Sequence, residues 1–270
     1  MKKLLALVMC FMFLGVGSIS AQTETSSLLK KHTFELGPEI SYIIYKEPGL
    51  MEEKGMMYGL FGSYTYHNKL MLKVEGKGSW GQVDYDGELQ DGTPYTIDNI
   101  TDYMLEFRGL VGYDFPVAEA TIFTPYIGIG YRYLNDDSSS DPAGYERESN
   151  YLYSPIGISF IVGLANDWSI GVTGEYDYFW GGKQKSHLSD FDPGLNDVKN
   201  RQKKGYGLRG SIALQKKIRT VAIKVEPFIR YWNIKKSETE TITYYGTPIG
   251  TGWEPKNNST EVGVMLGVKF

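Results

Sequence analysis

The chain has 270 residues, 28 basic against 32 acidic side chains, a net charge of −4 and one cysteine. With no basic excess to hold a phosphate backbone, a nucleic-acid partner is excluded. Mean hydropathy is −0.30, and after the N-terminal run no stretch offers the roughly eighteen consecutive apolar residues of a membrane helix.

Lys2 and Lys3 precede an apolar run from Leu4 to Val16, followed by the small, polar stretch Gly17-Ser18-Ile19-Ser20-Ala21. A helix over that run would rise about 20 Å, short of the roughly 30 Å of a hydrocarbon core. The pattern predicts a signal peptide over 1–21, cleaved after Ala21, a periplasmic N-terminal segment over 22–31 and a mature domain over 32–270. Cys10 follows Leu7-Val8-Met9, without the small residues that precede a lipoprotein cysteine, so no lipid anchor is expected. Cleavage removes the only cysteine, and with it any disulfide or thiolate metal site. The mature net charge falls to about −6.

From His32 onward the chain alternates residue by residue, the pattern of strands with unlike faces. Phe34, Leu36, Ile40, Tyr42 and Ile44 share one face; Glu35, Glu39 and Ser41 share the other. The next clear run sets Leu70, Leu72, Val74 and Trp80 against Lys73, Glu75 and Lys77. Another sets Leu105, Phe107, Val111, Tyr113 and Phe115 against Asp102, Glu106, Arg108 and Asp114. Similar runs lie around 56–66, 123–133, 152–162, 170–180, 206–214 and 221–231, and the tenth ends the chain with Val262, Val264, Leu266, Val268 and Phe270.

A soluble sandwich would also alternate, so the connections decide. They run long, short, long, short: 46–55 then 67–69, 84–99 then 114–120, 135–150 then 164–167, 181–203 then 215–220, and last 236–258. Short turns at one end, long loops at the other and an even strand count describe an outer-membrane barrel with its termini in the periplasm. Trp80, Tyr113, Tyr131, Tyr133, Tyr178 and Trp180 fall at the ends of the apolar faces, where interfacial aromatic belts sit. The predicted fold is therefore all-β: a ten-stranded antiparallel transmembrane β-barrel with long extracellular loops. Outer-membrane lipids and lipopolysaccharide are the expected surroundings, and Phe270 on an alternating strand resembles the signal read by the barrel assembly machinery.

The charged face then points into the lumen. Eight strands leave a barrel just wide enough to fill with side chains, so ten should be nearly plugged. Lys73, Glu75, Glu106, Arg108, Glu175, Arg209 and Arg230 are expected to form one connected charge network there.

Function should sit on the outer loops. The second carries Asp84 and Asp86 behind Gly78-Ser79-Trp80-Gly81; the fourth carries His187, Asp190 and Asp192-Pro193-Gly194. Two carboxylates facing a histidine across a barrel mouth could position and deprotonate a water for peptide hydrolysis. In these segments the chain resembles the omptins, ten-stranded outer-membrane proteases that cleave beside basic residues. Asp84 and Asp86 match the omptin Asp-x-Asp pair, and Asp192-Pro193-Gly194 matches the Asp-Pro-Gly of their fourth loop. The resemblance places Asp190 where the catalytic histidine should stand and Leu188 where its aspartate should stand, with His187 three residues early. The expectation is a barrel without omptin-like activity, its loops serving adhesion, surface structure or ligand contact, with no cofactor and no metal. The alternatives are an omptin-like endopeptidase using Asp84, Asp86, His187 and Asp190, and a narrow channel for small solutes.

Overall fold

The computed structural model describes residues 28–89 and 92–270, so the signal peptide and its cleavage after Ala21 lie outside the described residues. In chain order the elements are β1 (His32–Glu47), β2 (Met51–Asn68), β3 (Leu70–Glu88), β4 (Pro94–Tyr113), β5 (Phe115–Ala118), β6 (Thr121–Asp137), β7 (Glu146–Gly163), β8 (Trp168–Ser186), α1 (Leu188–Phe191), β9 (Val198–Gln202), β10 (Gly205–Ile218), β11 (Val221–Ile234), β12 (Glu240–Tyr244), β13 (Thr247–Gly252) and β14 (Asn257–Lys269). Ten of these strands pair antiparallel with their neighbours, and the ring closes where β14 pairs β1 and β10 pairs β8. The remaining short strands are annexes. β5 adds to the edge of β6, β9 lengthens the partner of β8 beyond β10, and β12 and β13 form a hairpin of their own.

The alternation sets the wall as expected. Phe34, Leu36, Leu72, Val74, Phe107, Ile129 and Leu266 lie exposed on the outside, while Glu35, Glu39, Glu106, Glu175 and Asp177 are buried on the inside. Only hydrocarbon makes so much exposed apolar surface stable, and closure leaves no unpaired strand edge in it. A glycine is demanded where a lumen ring crosses the wall: a Cβ on Gly130 would stand 2.3 Å from the Tyr153 ring, its cross-strand partner.

Turns at the end that holds Phe270 are tight. Lys69 alone joins β2 to β3, and Arg219-Thr220 join β10 to β11; Lys69 and Arg219 both take left-handed backbone.

At the opposite end the strands run further than the sequence reading allowed. The loop expected over 46–55 is a turn of Pro48-Gly49-Leu50, and that expected over 84–99 is mostly β3 and β4 paired up to Glu88 and Pro94. The cause lies inside. The reading ended each strand where the outward apolar residues stop, but the inward face stays buried past that point, through an apolar layer and on to Glu47 and Glu53. Ile43, Met57, Val83, Ile100 and Met104 form one buried cluster; Tyr151, Tyr153, Phe179, Trp232 and Ile234 form a second. These clusters fill the lumen toward the long-loop end. Toward the other end the lumen opens into a charged cavity of about 370 Å³ that reaches Leu28, Lys30, Asp167 and Lys269.

Candidate functional site

The lumen charges were read from alternation, and the strands bring most of them together. Arg108 Nε lies 3.1 Å from Glu75 Oε1 and its Nη2 pairs with Glu175; Lys73 pairs with Glu75. Arg209 donates to Glu106 at 2.8 Å and to Asp177 at 2.7 Å, and its Nε stands 3.3 Å from Glu175. Six of the seven expected residues thus join in one chain of contacts, with Glu175 as the bridge. Arg230 departs from the expectation. It binds Glu39 at 2.7 Å and Glu261 at 3.1 Å, in a neighbouring group completed by Lys77. The reason is register: Arg230 pairs with Glu261 across β11 and β14, so its nearest carboxylates come from the closing strands.

Above the apolar clusters sits a third group. Among the described residues Arg147 is the cation in ion-pair contact with it, paired with Glu53, with Asp136 at 3.2 Å and with Glu47 at 3.6 Å. Glu254 comes down from the last long connection and accepts from Tyr45 Oη at 3.0 Å. Burial first and the neighbouring Glu47 second push the Glu254 carboxyl up to about 8, and burial likewise raises Glu53 well above the usual carboxylate range. Sequence reading missed this roof. Arg147, Glu53 and Glu47 all sat in segments read as loops.

The four loop residues singled out for hydrolysis do not meet. Asp84 and Asp86 follow Trp80 on the outward face of β3, exposed beside Lys54 and Glu52 of β2, with Val83 before them buried in the lumen and Tyr85 between them packed against the same cluster. Asp84 accepts from the Asn99 amide at 3.0 Å. His187 and Asp190 belong to the outer wall of β7 and β8: His187 Nε2 is 2.7 Å from Glu148 Oε1, and Asp190 accepts from the Glu146 amide at 3.1 Å. Among the described residues no ion pair or hydrogen bond links Asp84 or Asp86 to His187 or Asp190. The arrangement considered above, Asp84 and Asp86 facing a histidine across the barrel mouth, is therefore not formed. Because β3 stays a paired strand, period two fixes both aspartates on the outside, away from any shared water. Around His187 the relevant carboxylates are Glu146, Glu148 and Asp197. The hydrogen bond from His187, with further help from Tyr133 and Lys185, holds Glu148 below the usual carboxylate range.

The family model of the outer membrane protein beta-barrel domain matches residues 9–202. No curated protein sequence matches the chain. Among solved structures, the outer membrane protease OmpT from Escherichia coli is 10% identical over 88% of this chain and 95% of its own, with a TM-score of 0.55. The translocator domain of the autotransporter NalP from Neisseria meningitidis is 9% identical over 100% of this chain and 94% of its own, with a TM-score of 0.44. The Pseudomonas putida toluene transporter TodX is 8% identical over 92% of each chain, with a TM-score of 0.35. At these identities the likeness to OmpT is one of fold. The closed ten-stranded wall, its apolar exterior and the match over 9–202 lead to one conclusion: the chain belongs to the outer membrane protein beta-barrel domain family.

Proposed function

We propose that this outer-membrane barrel is non-enzymatic and non-conducting, and that it holds its strand-built extension as a rigid platform for adhesion, surface structure or ligand contact outside the cell. The filled lumen carries this reading. Two apolar clusters and the Arg147 roof occupy the path a solute would take, and a lumen packed over that stretch leaves no continuous water file to conduct. The outward aim of Asp84 and Asp86 weighs against omptin-like hydrolysis.

Export with a cleaved signal peptide ending at Ala21, and insertion read through the outward Phe270, fit the same account. Lipopolysaccharide is the proposed lipid contact. Lys183 pairs with Arg201 and Lys185 with Lys199 across β8 and β9, a basic ladder on the wall above Tyr178 and Trp180, at the height of lipid phosphates if the long connections face outward.

The test joins two measurements on the folded protein with lipopolysaccharide: planar-bilayer conductance, and incubation with a peptide containing paired basic residues. No stable conductance step and no cleavage are expected. Cleavage that disappears in both Asp84→Asn and His187→Ala would sink the non-enzymatic reading, and a reproducible open step would sink the non-conducting one.

A further inference from the structure

We propose that Glu146, His187 and Asp190 form a binding site for a divalent transition-metal ion of the zinc class, on the outer wall where the third and fourth long connections meet. One ligand atom from each of the three lies within 4.8 Å of the other two. His187 Nε2 stands 3.8 Å from Glu146 Oε2 and 2.7 Å from Glu148 Oε1, so a third carboxylate is at hand as a fourth ligand. Donors bound to one tetrahedral zinc at about 2.0–2.2 Å lie roughly 3.4 Å apart. Small side-chain rotations bring this set to that spacing.

The backbone holds the donors in place. The His187 amide donates to the Glu146 carbonyl at 3.0 Å, the Glu146 amide to Asp190 Oδ2 at 3.1 Å, and the Asp190 amide to the His187 carbonyl at 3.0 Å. The first residue of β7 and the α1 turn are thereby locked together before any ion arrives, with Asp190 Oδ1 left for a ligand.

An outer layer of contacts points the same way. Metal-bound histidine places its other ring nitrogen against a carboxylate, which fixes the tautomer. Here His187 Nδ1 lies between Lys185 Nζ at 3.1 Å and Asp197 Oδ2 at 3.4 Å; an ion on Nε2 would turn Nδ1–H to Asp197, which is itself held by the Ser189 hydroxyl at 2.7 Å. The buried Asn135 donates to Glu146 at 2.6 Å, and Tyr133 to Glu148 at 3.0 Å. Charge is the last argument. Glu146, Glu148, Asp190 and Asp197 gather around His187 with Lys185 as the one cation in ion-pair contact with the group among the described residues, so the site carries a negative excess that a divalent ion would neutralise. An imidazole among the donors favours zinc, nickel or copper over calcium or magnesium, which take oxygen sets. Bound there, the ion would staple two surface connections that the sequence places about forty residues apart.

Isothermal titration of the detergent-folded barrel with zinc chloride alone tests this, with heat-modifiable migration on gels reporting that each variant is folded. One zinc per chain is expected for the native protein and for the His32→Ala/His67→Ala double variant, which removes the other two histidines. Binding should be lost in His187→Ala and in Asp190→Asn, while Asp197→Asn should weaken it about 10- to 100-fold, the usual cost of removing an outer-layer partner. Asp190→Asn keeps the side-chain oxygen that caps Glu146, so it stays informative if His187→Ala fails to fold. Absence of zinc binding in the native protein, retention in folded His187→Ala or Asp190→Asn, or loss in the double variant would each overturn the proposal.

Discussion

Single residues in the lumen carry charges whose value depends on their partners. Arg108 sits between Glu75 and Glu175, the latter almost wholly buried. Removing one member of a buried pair strands the other, at a cost of about 3–5 kcal/mol. Arg108→Met is therefore expected to lower the denaturant midpoint of the folded barrel clearly, and an unchanged midpoint would place Arg108 outside any dry network. Glu254 makes a second case, in the roof. Its carboxyl is raised from an ordinary 4.5 to about 8 by burial and by Glu47. The folded chain thus holds a proton that the unfolded chain releases, so the contribution is fully present below pH 4.5 and is lost as pH rises through 8. Stability measured by denaturant should fall across that window, and Glu254→Gln should flatten the fall. A native midpoint that rises from pH 4.5 to 8 would contradict this.

Strands are the next scale, and here two faces obey different solvents. Inside the membrane the outer face is apolar; above it the same strands carry Lys54, Asp84 and Asp86 outward while Ile43, Met57 and Val83 still pack inward. A strand whose inner face is buried persists in water as readily as in lipid. That is why the alternation from 32 onward was readable, yet its limits near 46, 84 and 181 were not. Because Asp84 and Asp86 are solvated wall residues, the double change Asp84→Asn/Asp86→Asn should alter the unfolding free energy by no more than about 0.5 kcal/mol, the usual size of surface substitutions. Gly130 is the converse. A methyl there meets the Tyr153 ring, so Gly130→Ala should cost about 1–3 kcal/mol by overpacking. Circular dichroism through a denaturant series compares the two.

For the whole molecule the question is whether the filled end of the lumen is a plug. Ile43, Met57 and Met104 are each almost fully buried in the same cluster. Cutting Met57 and Met104 to alanine together should cost about 2–5 kcal/mol per site and leave a void. If the apolar clusters are what stop conduction, that double variant should show conductance steps absent from the native barrel. Equal, silent traces from both would mean that the roof around Arg147 is a sufficient seal.

The sequence by itself determined the class of solvent and the wall. Period-two alternation, an apolar outer face and short turns leave a closed barrel in lipid as the arrangement in which every backbone group is paired. It also identified the charges that face inward, because facing is a local property of the strand. Tertiary structure alone decided who meets whom. That Arg230 pairs with Glu39 and Glu261, and that Glu146 and His187 stand side by side, both depend on register between strands. Register is set by how the ring closes and by the apolar side chains that fill it, and neither is encoded in any single segment.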